Sequence, residues 1–396
     1  MSLLLSQVNS GASLGSPLKK NPLVLDPAWE ILSPPLQQVE RTYVRCGESK
    51  LSYFGGCDYF RLSSHALVLK ALQDGLQKYG LNVAASRSTT GNHELYERLE
   101  ARLAEFFDAP AAVLLSSGYL ANLAVTQALA GTRSHALIDE RAHASLRDAA
   151  QFLNCPVVSF KSRDAGDLAK TLRRIGPKTR PLILTDGMFS HDGSFPPMKK
   201  YLQVLPQNGL VLLDDAHGAG VLGKTGKGTL EQTGVTRRGI IQTIALSKAF
   251  GVYGGAILCD TDLRKLILAK SRLFNGNTPL PLPLANAVMK AIDILSSSNS
   301  LRTRLLQNIK RVKAALQKMG HPTTDSLSPI IPLIPRHPDE VPQLKRELIA
   351  NGVFPSFIKY PAGADTGYFR FAISSEHSRA QIDRLLRFFK NRSGRP

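Results

Sequence analysis

Two short segments carry side chains whose types and spacing could do chemistry together. Leu213-Asp214-Asp215-Ala216-His217-Gly218-Ala219-Gly220 sets carboxylates and an imidazole directly after an apolar run. Ala245-Leu246-Ser247-Lys248-Ala249-Phe250-Gly251 follows, with its lysine 34 residues beyond Asp214. A lysine amine can condense with an aldehyde to form a Schiff base. An anionic carboxylate at the end of a buried strand can keep a pyridine nitrogen protonated, so that the ring accepts electrons. Those are the two protein groups that pyridoxal 5'-phosphate (PLP) requires. Taken singly, Asp214 reads as a strand-end cap and Lys248 as a solvated surface group. Asp-x-Ala-His on a fully apolar strand, followed by Ser-Lys-Ala-Phe-Gly, is far more specific than either.

Four further segments could contribute. Ser117-Gly118-Tyr119 closes a strand and opens a helix, where backbone N–H groups and the positive helix end suit a phosphate, although a Ser-Gly turn is also common loop chemistry. Ala142-His143-Ala144-Ser145 begins a helix, and a histidine there is by default a cap or a packed side chain. Asp186-Gly187-Met188-Phe189-Ser190-His191-Asp192-Gly193 reads as a loop. Tyr368-Phe369-Arg370-Phe371 sets one arginine among apolar residues. A buried guanidinium needs a partner and matches a carboxylate in two-point geometry, either a substrate's or that of a structural ion pair.

These residues need a scaffold, and the apolar pattern supplies one. From about residue 110, short runs apolar on both faces alternate with amphipathic segments: 111–115, 136–138, 181–184, 209–213, 240–246 and 255–259. Helical stretches at 120–129 and 143–153 lie between them. That alternation predicts a buried, mostly parallel sheet in an α/β domain, and ligands of such sheets collect at the carboxyl ends of the strands. A long helix from about Leu284 to Leu295 and beyond then leads to strands at 330–334, 353–358 and 368–373, with helices at 339–351 and 379–390. The expected organisation is an N-terminal arm or segment over 1–55, a large domain over 56–288 and a smaller α+β domain over 289–396. Residues 1 to about 35, with Gly, Ser and Pro-Pro, read as a loose arm.

Composition bounds the function class. The 396 residues are 43% hydrophobic and 20% charged, ordinary for a folded domain. No stretch approaches the roughly 20 apolar residues of a membrane span, and the N-terminus lacks the pattern of a secretory signal. Cys46, Cys57, Cys155 and Cys259 have neither zinc-site nor disulfide-framework spacing, so a cytoplasmic setting is expected and no metal. Fifty Lys and Arg against 31 Asp and Glu give a net charge of +19, a field that attracts polyanions or acidic partners. There is no zinc finger and no aromatic–basic stripe for stacking bases, so nucleic acid is not an expected partner.

From about residue 50 to 390 the chain resembles the α-oxoamine synthase family of fold-type I PLP enzymes, its landmarks occurring in order. The resemblance implies that Lys248 forms the Schiff base, Asp214 pairs with the pyridine nitrogen and His217 bonds the phenolic oxygen. It implies phosphate binding at Ser117, Gly118 and Tyr119, with Ser247 adding a hydroxyl. Ser190 would contact the cofactor side, and His143 would stack on the ring and assist acid–base steps. Arg370 would take the amino-acid carboxylate. Thr278, before Pro279-Leu280-Pro281, resembles a threonine that reaches the phosphate from the neighbouring subunit of a homodimer; a helix cap is its other reading. The implied reaction condenses a small amino acid with an acyl thioester of CoA or an acyl carrier protein, with decarboxylation to a 2-aminoketone. Transamination or retro-aldol cleavage on the same residues is the alternative, and a non-catalytic nucleic-acid-binding protein the more distant one. The pattern departs in places. Ala245 stands for a threonine, and Cys57-Asp58-Tyr59-Phe60-Arg61-Leu62 for Asn-Tyr-Leu-Gly-Leu, so that Arg61 replaces a glycine. Ala84 to Gly91 stands for a glycine-rich stretch, Tyr96 is near the place of a histidine, and His191 replaces an apolar residue.

Overall fold

The computed structural model describes residues 33–359 and 367–392. The arm expected over residues 1 to about 35 lies outside the described residues, apart from its last few. Three short strands, β1 (Gln37–Val39), β2 (Tyr43–Cys46) and β3 (Ser49–Ser52), form an antiparallel meander that the apolar pattern did not announce. Seven strands then build the central sheet: β4 (Ala111–Leu115), β5 (His135–Asp139), β6 (Val157–Phe160), β7 (Pro181–Asp186), β8 (Leu210–Asp214), β9 (Ile240–Ala245) and β10 (Gly255–Cys259). Their order is β4-β10-β9-β8-β7-β5-β6. The pairs from β9 to β6 are parallel, while β10 runs antiparallel to both β4 and β9. The α/β expectation therefore holds, and its physical cause is visible: every residue of β7 and β9 is buried, because helices cover both faces. The edge strand β6 was missed; it is short, follows Pro156 and leaves Val157 40% exposed.

The long helix expected from Leu284 is two helices, Leu282–Ser297 and Ser300–Lys318. The break falls in a Ser-Ser-Ser-Asn-Ser run, whose side chains compete for backbone hydrogen bonds; Ser298 Oγ accepts from Ser300 N at 3.1 Å. Strands β11 (Ile330–Leu333), β12 (Phe357–Ile358) and β13 (Tyr368–Ala372) then pair antiparallel in the order β11-β13-β12, with helices Glu340–Ala350 and Arg379–Lys390 beside them. The meander joins this C-terminal part. Ser52 N donates to Gly352 O at 2.8 Å, Phe354 N to Ser52 O at 3.0 Å, and Thr42 Oγ1 to Gln381 Oε1 at 3.1 Å.

Three parallel strands of the central sheet end in aspartates, Asp139, Asp186 and Asp214. Register sets Asp186 beside Asp214, and Asp214 beside Thr243, along the carboxyl edge of the sheet. The sheet thus delivers polar groups to the place where α/β folds bind ligands.

Candidate active site

Asp214 is almost fully buried at the end of β8 and is heavily supported. Asn122 Nδ2 donates to its Oδ2 at 2.7 Å, Ser145 Oγ to the same oxygen at 3.4 Å, and Ala216 N to Oδ1 at 3.1 Å. Asn122 is itself oriented by Thr243, whose hydroxyl donates to Asn122 Oδ1 at 2.6 Å. Neighbouring Asp186 accepts the backbone N–H of His143 at 2.8 Å. Burial, and then the charge of Asp214, push Asp186 well above the ordinary carboxylate range, so it is the member of the pair driven toward the neutral form. Asp215, the next residue in the chain, does other work. It accepts from Thr229 N at 2.8 Å, Thr229 Oγ1 at 2.6 Å and Gln242 Nε2 at 2.7 Å, and burial pushes it up to about 6.

Lys248 lies in the tight connection between β9 and β10, closed by Gly251 N donating to Lys248 O at 3.0 Å. Gly251 has φ +67°, and a side chain there would collide with the backbone of Leu62 and Ser63, so the turn requires glycine. The Lys248 side chain is half-buried. Desolvation lowers its pKa against the opposing pull of Cys57, Asp214 and Asp186, which enlarges the neutral, nucleophilic fraction of the amine. His217 is buried beside it and is kept neutral by burial and by the positive charges of Lys248 and Arg370. Its Nδ1 lies 2.8 Å from the hydroxyl of buried Tyr59. With that hydroxyl as donor, the ring carries its proton on Nε2.

Ser117 caps the helix Gly118–Ala128, its Oγ accepting from Leu120 N at 3.3 Å. Gly118 is required by close packing: a Cβ there would stand 2.9 Å from the Cβ of Ala245. The first N–H groups of this helix thus sit against the end of β9, three residues from Lys248. Tyr119 is 41% exposed, hydrogen-bonds Asp148, and meets His143 edge-on with ring centroids 6.4 Å apart.

His143 caps the helix Ala144–Gln151, and its Nδ1 accepts from Ser145 N at 3.2 Å, leaving Nε2 as the outward nitrogen. Burial lowers its pKa, with the charge of Asp214 opposing and those of Lys248 and Arg370 adding to the effect. Half-buried Arg370, on β13, donates through Nη1 to Ser190 O at 3.3 Å, which ties the C-terminal sheet to the loop after β7. Lys248, Asp214, His217, His143 and Arg370 thus stand within electrostatic reach of one another. Ser247 is exposed beside Lys248. Thr278 is not gathered into this group within one chain. It is exposed in a crevice with Ser116 and Asn277, and the following helix starts after Pro281, so Thr278 is not its cap.

The departures fall into place individually. Arg61 occupies the left-handed region at φ +52°, the conformation a glycine would adopt without strain. Its side chain is buried, donating to Tyr53 O at 2.9 Å and lying over the Tyr53 ring. Asp58 is occupied by the backbone N–H groups of Leu62 and Ser63, both at 3.0 Å. Tyr96 donates to Leu280 O at 2.6 Å. In the Ala84 to Gly91 stretch, Arg87 pairs with Glu100 and lies over Tyr96. His191 Nε2 lies 2.9 Å from Arg141 Nη1 and 3.4 Å from Asp192 Oδ2. Cys57 stays at the site, half-buried and close enough to Tyr59 and Lys248 to affect both. For Arg61→Gly we expect a stability loss of about 1 kcal/mol in denaturant unfolding, lost side-chain contacts outweighing relieved backbone strain. Its KM values should stay within about twofold of wild type, because the guanidinium is engaged by Tyr53 O and the Tyr53 ring; a larger shift would place Arg61 in substrate binding.

The residues suit PLP on grounds visible here: a desolvated lysine beside a supported carboxylate, a neutral histidine with Nε2 unused, and a helix start that only glycine can occupy. The comparisons agree. The family model for aminotransferase class I and II matches residues 57–389. The 8-amino-7-oxononanoate synthase of Thioalkalivibrio sulfidiphilus is 34% identical over 332 residues, 83% of this chain and 85% of that protein. The protein of that name from Thermoanaerobacter pseudethanolicus is 32% identical, over 84% and 85%. Among solved structures, the serine palmitoyltransferase of Sphingomonas wittichii superposes with a TM-score of 0.86 at 25% identity, covering 94% of this chain and 93% of that one. The 8-amino-7-oxononanoate synthase of Francisella tularensis gives 0.75 at 26%, covering 86% and 97%. The chain belongs to the aminotransferase class I and II family and, within it, to the α-oxoamine synthases. It is a PLP-dependent acyltransferase of the 8-amino-7-oxononanoate synthase type. Among the described residues, no helix is long and apolar enough to cross a membrane.

Proposed function

We propose that this enzyme condenses a small amino acid, glycine, alanine or serine, with an acyl thioester of CoA or an acyl carrier protein, and releases the thiol, CO2 and a 2-aminoketone. The observation that carries the reading is the convergence of Lys248, Asp214, His217, His143 and Arg370 at the carboxyl edge of the sheet. When bound, the cofactor supplies the electron sink that stabilises negative charge at the amino-acid Cα. Lys248 would hold the cofactor covalently through Nζ, and the same nitrogen, when free, would take the Cα proton. Asp214 would hold the proton on the ring nitrogen, and His217 Nε2 would donate to the phenolic oxygen. The N–H groups of Gly118 and Tyr119, with the hydroxyls of Ser117 and Ser247, would bind the phosphate. Ser190 lines the cofactor side. Arg370 orients the substrate carboxylate, and His143 Nε2 donates a hydrogen bond to the thioester oxygen as charge develops there.

The reading includes a cytoplasmic homodimer in which the exposed Thr278 serves the partner's phosphate site. It also divides the chain near residues 55 and 288 into arm, large domain and small domain. The four free cysteines support the cytoplasmic setting. The test is thiol release: free thiol should appear only when amino acid and acyl thioester are both present. Transfer of the amino group to a 2-oxo acid without thiol release would overturn the proposal in favour of transamination. For Arg370→Ala, KM for the amino acid should rise about 100-fold, the scale of a lost charged hydrogen-bond pair, while KM for the thioester stays within about threefold. Equal rises in both would remove Arg370 from carboxylate binding.

A further inference from the structure

Lys313 is a buried lysine that the proposed chemistry does not use. It projects from the helix Ser300–Lys318 and is 6% exposed. Its ammonium sits among three oxygens, donating to Thr324 O at 3.1 Å, to Thr324 Oγ1 at 2.9 Å and to Ser326 O. Three donors thus meet three acceptors, the full capacity of an ammonium group.

What the cage holds is informative. Ser326 Oγ donates to Gly193 O at 2.9 Å, and Thr324 Oγ1 reaches Asp192 O at 3.5 Å. Gly193, at φ +71°, packs against Ser328 so closely that a Cβ would overlap it. The turn caged by Lys313 is therefore pressed onto the loop after β7. That loop closes on itself through Gly193 N to Phe189 O at 2.8 Å and Phe189 N to Ser194 O at 2.9 Å, and it presents Ser190 O to Arg370. Beyond the turn the chain becomes β11, which pairs with β13 so that Pro332 lies opposite Arg370. Two supports of Arg370, the Ser190 carbonyl and Pro332 on the neighbouring strand, lead back to the segment that Lys313 organises, while Ser356 O holds its backbone N–H from the other side at 2.9 Å.

We propose that Lys313 is a positioning residue for amino-acid binding, setting the placement of Arg370 through the 324–328 turn and the 189–194 loop. This rests on Arg370 as the carboxylate partner. Charged groups facing Lys313 are Asp192 and Asp325, which favour its ammonium form, while burial opposes them and brings its pKa down to about 8. Deprotonation turns one donor into a lone pair facing an oxygen, so the cage loosens as pH rises through that value. By linkage, bound amino acid holds the proton on more tightly.

The experiment compares wild type, Lys313→Met, Lys313→Arg and Ser326→Ala as holoenzymes. KM values and kcat would be measured from pH 7 to 9, with equilibrium amino-acid affinity read from the cofactor's absorbance. Lys313→Met should raise amino-acid KM and Kd about tenfold at pH 7, with kcat and thioester KM within about threefold. Lys313→Arg, which keeps its charge, should restore low KM and remove the loss of affinity expected of wild type above pH 8. Ser326→Ala, which leaves Lys313 its own partners, should raise amino-acid KM about threefold. A fall in Tm with unchanged amino-acid KM in Lys313→Met would overturn the proposal. So would an alkaline loss in Lys313→Arg equal to that of wild type, a result available even where the methionine variant does not fold. If Arg370→Ala leaves amino-acid KM untouched, the reading of Arg370 fails; if it raises KM while Lys313→Met and Ser326→Ala do not, only the role of Lys313 fails.

Discussion

Lys248→Ala should lose condensation entirely, with kcat lower by at least about 10⁴-fold, because the covalent attachment and the Cα base disappear with one nitrogen. A drop of that size is about 5.4 kcal/mol of barrier. The structure gives no second lysine in the same setting: among the described residues, Lys248 is the one flanked by Asp214 and Asp186 and faced by His217. The variant should fold, since the turn is closed by backbone bonds and by Gly251 rather than by the lysine side chain. The decisive measurement is borohydride reduction of the holoenzyme followed by peptide mass spectrometry. Wild type should carry the reduced cofactor on Lys248, and the variant should carry none. Label on another lysine of the wild-type protein would end the assignment.

The second large effect separates the two neighbouring aspartates. Asp214→Asn keeps size and removes charge, so kcat should fall about 10²- to 10⁴-fold through loss of the electrostatic partner of the ring nitrogen. Thermal stability should move by only a few degrees, because the position keeps its volume at the end of β8. Asp186→Asn should cost less than about tenfold. That carboxyl is already driven toward the neutral form by burial and by Asp214, and its visible task, accepting His143 N, passes to an amide oxygen. Equal losses in the two variants, or a larger one at Asp186, would reverse the assignment along the sheet edge.

The machinery was legible where chemistry and strand pattern coincide. Asp214 and Lys248 each follow a short, mostly apolar run, and its length and flanking turn residues mark it as a strand buried in a sheet. The groups that support them were not legible. Asn122 holds Asp214 and Thr243 orients Asn122, yet Asn122 is a single polar residue in an apolar stretch and Thr243 sits beside Gln242 in another, and sequence cannot distinguish either from any satisfied core amide or hydroxyl. Tyr59 looked like part of a departed motif and proves to be the partner of His217, a contact across 158 positions. Arg61 was readable as a departure but not in its consequence, since side-chain direction depends on the left-handed backbone it retains. The meander was hidden because its strands are three or four residues long and mostly half-exposed. The helix break after Ser297 was written in a serine-rich run that the apolar spacing on either side obscured.

The stitching of the N-terminal meander to the C-terminal part bears on biosynthesis. Tyr59 O accepts from Ser375 N at 2.9 Å, Phe54 O from Ala372 N at 2.6 Å, and Tyr53 O from His377 Nε2 at 3.0 Å. The segment that carries Tyr59 to His217 is therefore held by residues made more than 300 positions later. Contacts so distant along the chain form late, after the loop between them has closed. A ribosome can present a finished central sheet, with Asp214 and Lys248 in place, while Tyr59 still lacks its support. The Tyr59–His217 contact in the cleft around Lys248 therefore gains its full support only after residues 372–377 have been made and folded back.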